Sequence, residues 1–363
     1  RKWTVWACMR AVLTRAAKLP DVLKCYRTIQ KSGSGYQTVY HRNVAPGKTD
    51  PHARVTVLIP TINRYPYLRT LLGQLRFQTI RPHEVIIVDQ TPVIKRDTNI
   101  AHDFPDLPIR ILGMEQPGQC RSRNLGLNNA TGDYILFIDD DDEVSESLIE
   151  AHLASLAQCQ TNVSCGVALE DGAGPLPGNY RFLRISDVFP TNNSLIRKDL
   201  LSHSGLFDLA YDRGQRADAD LGTRLYLSGE MMVLNPAISL LHHHAPQGGL
   251  REHNARVHTY AASRMQISVR ALPSVSDFYR AMRYYTSRQI HERKMLDILG
   301  TFSARGSVLK KVAKVLVGLF QLSHTLWMIR RNQLKAEEML QVYPQIPAYQ
   351  IREMAYAAPD PQP

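Results

Sequence analysis

The stretch that most limits what this chain can fold into is Tyr134 to Ile138 (YILFI), followed directly by Asp139, Asp140, Asp141 and Asp142. Five apolar residues bounded by Thr131, Gly132 and Asp133 read as a buried strand of an α/β sheet. Four carboxylates in a row at its end repel one another and push each other's pKa upward, so the position calls for a cationic neighbour. In open α/β sheets ligands collect outside the carboxyl ends of the strands. Hard oxygen donors suit Mg²⁺ or Mn²⁺ shared with a polyphosphate ligand. An acidic turn capping the next helix, with Asp142, Ser145 and Glu146 at its N-terminus, fits the same residues.

Around this run the pattern alternates between strand and helix. Arg54 to Ile59 reads as a strand ended by Pro60, and Tyr67 to Thr79 as a helix with Leu68, Leu71, Leu72 and Leu75 on one face. Strands follow at Val85 to Val88 and Ile109 to Leu112, then a helix at Arg121 to Ala130 that leads into the aspartate strand. This order predicts an α/β fold with a Rossmann-like, mostly parallel central sheet flanked by helices and right-handed crossovers.

Charge divides the chain further. Residues 1–50 hold ten Lys/Arg against two Asp/Glu, residues 255–331 fourteen against three, and residues 51–254 eighteen against twenty-four. A nucleic-acid reader would carry its basic stripe on the folded domain, so no nucleic acid is expected. Basic flanks around an acidic core suit an anionic membrane surface instead. Five cysteines without a CxxC pair speak for a reducing compartment, and the expected location is cytoplasmic, peripheral on the membrane face. The expected division is a basic helical extension and linker at 1–50, a catalytic domain at 51–254, a basic helical region at 255–343 and a frayed tail at 344–363. The chain opens without an initiator Met, which suggests a start inside a longer reading frame.

The segments IPTINR (59–64), EVIIVDQT (84–91), CRSRNLGLNNATGDYILFIDDDD (120–142), GLFD (205–208) and ADADLGTRLYLSGEMMVLNPAISLLHH (217–243) resemble the family 2 glycosyltransferases of the GT-A fold. The resemblance runs over about 54–245 with the motifs in the family's order. It implies transfer of a sugar from a nucleotide diphosphate to a hydroxyl of a glycan, lipid-linked or small-molecule acceptor, with Mn²⁺ or Mg²⁺ stabilising the leaving diphosphate. It also implies the roles of individual residues. Pro60, Thr61, Asn63 and Arg64 would cradle base and ribose, joined by Asp89 and Gln90 at the end of the second strand. Ile62 and Gln90 depart from the Tyr and Asp common in the family. Asp139 and Asp140 would lie along the nucleotide sugar, Asp141 would bind the metal and His242 would complete its shell. Arg121 and Arg123 would either meet the diphosphate or pair with the acidic turn. Asp218 is the expected base, with Asp220 anchoring the helix that follows, and Asn192, Asn193 and Ser194 would border the acceptor. The segment APQGGL (245–250) reads either as a closing loop or as a surface turn.

Two further features refine this. With Trp3, Trp6 and Trp327 the only tryptophans, the QxxRW motif of processive synthases is missing, which favours a single-addition transferase, and one base with direct displacement makes the expected transfer inverting. Val315 to Ile329 is uncharged and shorter than the ~20 residues a span needs. It reads either as a helix packed on the catalytic domain or as one lying in a membrane interface. A sugar nucleotidyltransferase, or a scaffold with a degenerate core, would share parts of this pattern.

Overall fold

The computed structural model describes residues 52–170, 178–243 and 271–349, together with positions 174, 176, 245 and 266–268. The expected extension at 1–50, most of the 245–250 loop and the tail beyond 349 lie outside the described residues. Contacts group the chain into two units, Pro46–Ala255 with Tyr343–Pro363, and Arg1–Ala45 with Arg256–Val342.

In the first unit β1 (Val55–Thr61), β2 (Glu84–Asp89), β3 (Ile109–Gly113) and β4 (Tyr134–Phe137) pair in parallel in the order β3-β2-β1-β4. β1 and β2 are buried along nearly their whole length, as their unbroken apolar runs require. Pro60 does not end β1, which continues to Thr61 and pairs Pro60 with Val88. The proline is tolerated because the pairing with β4 stops at Leu58 and Phe137, so that side of β1 needs no further N–H. Asn63 then takes a left-handed backbone, φ 56°, which Asn accepts more readily than most residues. The chain turns there into α1 (Tyr65–Leu75), whose Leu68, Leu71, Leu72 and Leu75 are fully buried. α2 (Gln119–Asn129) crosses the sheet so closely that a Cβ on Gly126 would lie 2.1 Å from Leu58 Cδ1.

Beyond β4 the sheet turns mixed. β8 (Ser194–Arg197) pairs antiparallel with both β4 and β6 (Val163–Glu170), and β9 (Met232–His242) runs parallel to β6. The short β7 (Arg184–Ile185) pairs with β9, and β5 (Asp142–Glu143) closes the row. That two-residue strand positions the site, since it sets Asp142 opposite His242 and Glu143 opposite Leu241. Residues 344–349 are not frayed, because Leu206 N donates to Pro347 O at 2.8 Å.

α3 (Leu148–Cys159) contributes a buried polar knot to this half. His152 is fully buried, with Nδ1 2.9 Å from Ser164 Oγ and Nε2 2.9 Å from Asn193 Oδ1. Asn193 Nδ2 donates to Val167 O and Ile238 O, so its Oδ1 must accept and His152 is neutral with its proton on Nε2. Asn193 and Ser194 are therefore structural, sealed from any acceptor at 0 % exposure, contrary to the expectation for this stretch. Burial lowers the His152 pKa to about 4. Below the ordinary value of 6.5 the unfolded chain takes up a proton that the folded one refuses. His152 thus contributes stability above pH 6.5 that is lost as the pH falls toward 4, up to about 3 kcal/mol. Denaturant unfolding at pH 7.5 and pH 5 should show the loss, and His152→Gln should reduce that slope. Comparison with the variant matters because Asp140, raised by burial, adds a slope of opposite sign.

The second unit holds α5 (Val275–Tyr284), α6 (Ser287–Gly300), α7 (Val308–Phe320) and α8 (Leu322–Val342). Capping boxes start α5 (Ser274 with Asp277) and α6 (Thr286 with Gln289), and Ser307 caps α7. The uncharged segment 315–329 is not one helix, because it breaks at Gln321 between α7 and α8, which meet at a 64° bend.

Candidate active site

The acidic run sits where the parallel half of the sheet ends, and its four side chains point to different partners. Asp139 stays partly exposed and accepts from Arg123 Nη2 at 2.8 Å. Asp140 is buried, taking Thr61 Oγ1 at 2.7 Å and Arg64 Nη1 at 3.0 Å. Asp141 is buried with Oδ2 accepting from Ala245 N at 2.8 Å, while Oδ1 lies 3.2 Å from Arg64 Nη1 and 3.7 Å from His242 Nδ1. Asp142 Oδ1 meets His242 Nδ1 at 2.8 Å, and its Oδ2 accepts from Asp139 N at 2.9 Å, closing the turn on itself. Asn192 Nδ2 reaches Asp142 Oδ1 at 3.5 Å.

Electrostatics follow from this crowding. Burial raises the Asp140 pKa to about 6, against the lowering pull of Arg64 and Thr61. Burial likewise pushes Asp142 up, with the His242 contact opposing it. Burial pulls His242 down, but its hydrogen bond to Asp142 and the surrounding aspartates win and raise it to about 9. His242 as it stands is a cation that supports the cluster, and serving as a metal ligand would require it to release that proton. Arg64 loses hydration on burial yet is raised overall by Asp140 and Asp141.

Whether these residues suit a divalent cation is tested by one atom. Asp141 Oδ1 is buried without a hydrogen-bond partner, and such acceptors carry a full desolvation cost. Among the described residues no three His, Cys, Asp or Glu side chains converge into a preformed cage. Mg²⁺ or Mn²⁺ held by one or two carboxylates and the phosphates of a substrate needs no such cage. The donor set fits that mode, with Asp141 the principal ligand.

The strand ends supply the rest. Thr61 stands opposite Asp89 in the β1–β2 register. Asp89 Oδ2 accepts from Tyr65 Oη at 2.7 Å and its Oδ1 from Thr91 N at 2.9 Å, while Asn63 N donates to Thr91 Oγ1. Gln90, expected at the nucleobase, uses Oε1 to accept from Gly118 N at 2.8 Å and so fastens the entry of α2. Arg123 is buried under Phe207, its guanidinium 5.9 Å from the ring centroid, and does pair with the acidic run. Arg121 turns the other way, to Asp212 at 3.1 Å.

Asp212 is the residue that sequence reasoning missed. Its Oδ1 accepts from Cys120 N and Arg121 N at 2.9 Å each, capping α2 from 91 residues away. A Cβ at Gly118 would come within 2.2 Å of its Oδ2, which is why glycine precedes the helix. No local signal marks this cap, because the partner arrives from another part of the chain.

α4 (Ala217–Leu227) begins after Arg216, whose φ of 83° is costly for a residue with a Cβ. Both aspartates fall in its first turn. Asp218 is exposed and shares no hydrogen bond with the acidic cluster. Asp220 is fully buried and paired with Arg224, its Oδ2 2.9 Å from both Nε and Nη2, which makes it the anchor of the helix.

Residues 56–208 match the family model described as glycosyl transferase family 2. Among curated proteins, the chain is 30 % identical over 115 residues to glycosyltransferase GlyA of Streptococcus pneumoniae, covering 31 % of this chain and 16 % of that protein. It is 26 % identical over 171 residues to the uncharacterized glycosyltransferase YwdF of Bacillus subtilis, covering 43 % of this chain and 62 % of the relative. The chain thus spans less than two thirds of either relative. Among solved structures, the mannosyltransferase PcManGT from Pyrobaculum calidifontis, in complex with GDP-Man and Mn²⁺, superposes with a TM-score of 0.52 at 17 % identity, covering 93 % of this chain and 99 % of that one. At that identity the likeness speaks for the fold, which is GT-A.

Proposed function

Residues 56–208 belong to glycosyltransferase family 2, and on that premise we propose that the chain is a metal-dependent, inverting transferase that moves one sugar at a time from a nucleotide diphosphate to an acceptor hydroxyl. The observation that carries the metal dependence is Asp141 Oδ1, buried at the end of the sheet with an ion-pair contact to Arg64 but no hydrogen-bond donor, beside a cluster already crowded with carboxylates. When bound, Mn²⁺ or Mg²⁺ supplies Lewis-acid stabilisation of the departing diphosphate.

The chain's own residues do the remainder. Thr61, Arg64 and Asp89 border the nucleotide where the strands end, and Asp139 faces the ribose with Arg123 fixing its carboxylate. Asp218 receives the proton of the acceptor hydroxyl as that oxygen attacks the anomeric carbon. The nucleoside diphosphate leaves from the opposite side, so a single displacement inverts the configuration. A base must reach solvent-borne acceptors, and Asp218 is the exposed carboxylate of the pair on α4.

Asp218→Asn tests the assignment. It should leave nucleoside diphosphate affinity, measured calorimetrically, unchanged and lower turnover by about 10²–10⁴-fold, the usual share of a positioned general base. Turnover equal to wild type would remove Asp218 from the mechanism.

A further inference from the structure

α7 is patterned inside out. Val308, Leu309, Val312, Leu316, Leu319 and Phe320 share one helical face, and each is between 50 % and 88 % exposed. The opposite, packed side carries Lys314, 1 % exposed with Nζ donating to Gln266 O at 2.9 Å, and Gly318, where a Cβ would lie 2.7 Å from Phe302 Cδ1. A helix of a water-soluble domain turns such an apolar stripe toward its core. Leu326 and Trp327 in the first turns of α8 are exposed as well, and the Arg331 guanidinium lies 5.4 Å over the Trp327 ring.

The charges around this face narrow down what covers it. From Ile298 to Ala336 the chain holds seven Lys/Arg and no Asp or Glu. A second copy would bring two cationic rims together. An anionic lipid surface offers both an apolar bed and neutralising charge, and tryptophan and arginine are suited to its boundary. α7 has 13 residues, about 20 Å, too short for the ~30 Å hydrocarbon core. Among the described residues no single helix is long and apolar enough to cross a membrane, and α7 and α8 reach that length only together, across their 64° bend. We propose that the outward face of α7, with Leu326 and Trp327, is an interfacial anchor that lies on an anionic bilayer.

The full chain is sedimented with vesicles of phosphatidylcholine alone and of phosphatidylcholine with phosphatidylglycerol. Wild type should partition onto the anionic vesicles, and less so as salt rises to about 0.5 M. The double variant Leu316→Asp, Phe320→Asp should partition about tenfold less or weaker still, since binding scales with buried apolar area. Its circular dichroism and thermal unfolding should match wild type, because both side chains stand in solvent at 62 % and 88 % exposure. The proposal is overturned by equal partitioning of variant and wild type. It also fails if vesicles are ignored while the variant alone loses a dimer by analytical ultracentrifugation, or if wild type resists alkaline extraction from neutral vesicles as an inserted helix pair would.

Discussion

Asp141→Asn should abolish metal-dependent nucleotide binding and lower transfer by about 10³-fold, the several kcal/mol that a Lewis acid supplies to a leaving diphosphate. Asn keeps an acceptor for Ala245 N, which Asp141 Oδ2 satisfies at 2.8 Å, so the loop contact survives. Arg64 keeps Asp140 at 3.0 Å. What disappears is one negative charge from a run of four, and the metal-free protein should be as stable as wild type or more so. Calorimetric titration of UDP, GDP, dTDP and CDP with and without Mn²⁺ reads the first effect and names the donor class. Thermal unfolding without metal reads the second. Metal-independent binding, equal in both proteins, would take the cation out of the mechanism, and no binding at all would favour a non-catalytic scaffold.

The largest loss of stability is expected from Asp220→Ala. Its carboxylate is fully buried against Arg224 Nε and Nη2 and within 3.3 Å of Tyr211 Oη, while Arg224 Nη1 also donates to Ser204 O. Removing one side of a buried pair strands the other charge, which costs about 3–5 kcal/mol. Replacing both, as Asp220→Leu with Arg224→Met, should recover much of that loss because neither charge then remains to be solvated. Asp218→Ala, two residues away but exposed, should change stability by no more than about 0.5 kcal/mol. Chemical denaturation of the four proteins separates anchor from base, and equal losses at 218 and 220 would refute the division of roles.

The contrast between these two aspartates also shows what could be read in the sequence. Both lie in one short motif, and the resemblance already divides them into base at Asp218 and helix anchor at Asp220, but only packing reveals Arg224 as the anchor's partner. The parallel strands were legible because each is an apolar run with a polar end, and the leucines of α1 because their spacing is helical. The limits of β1 were not, since a proline normally ends a strand and is admitted here only because β4 has already finished. Contacts that depend on distant parts of the chain left no local trace. Asp212 caps a helix 91 residues earlier, and the two-residue β5 brings His242 to Asp142 across 100 positions. Position in the chain puts Asn193 at the border of an acceptor, yet it holds His152 and two backbone carbonyls in the core.

Arg64 gives the acidic cluster a counter-ion of its own. Its guanidinium lies 3.0 Å from Asp140 and 3.2 Å from Asp141. The carboxylates are therefore never bare, and under the proposed metal dependence a divalent ion would join by displacing part of an existing partnership rather than by filling a void. Such exchange would weaken the ion's hold in the absence of nucleotide and make its retention depend on the phosphates.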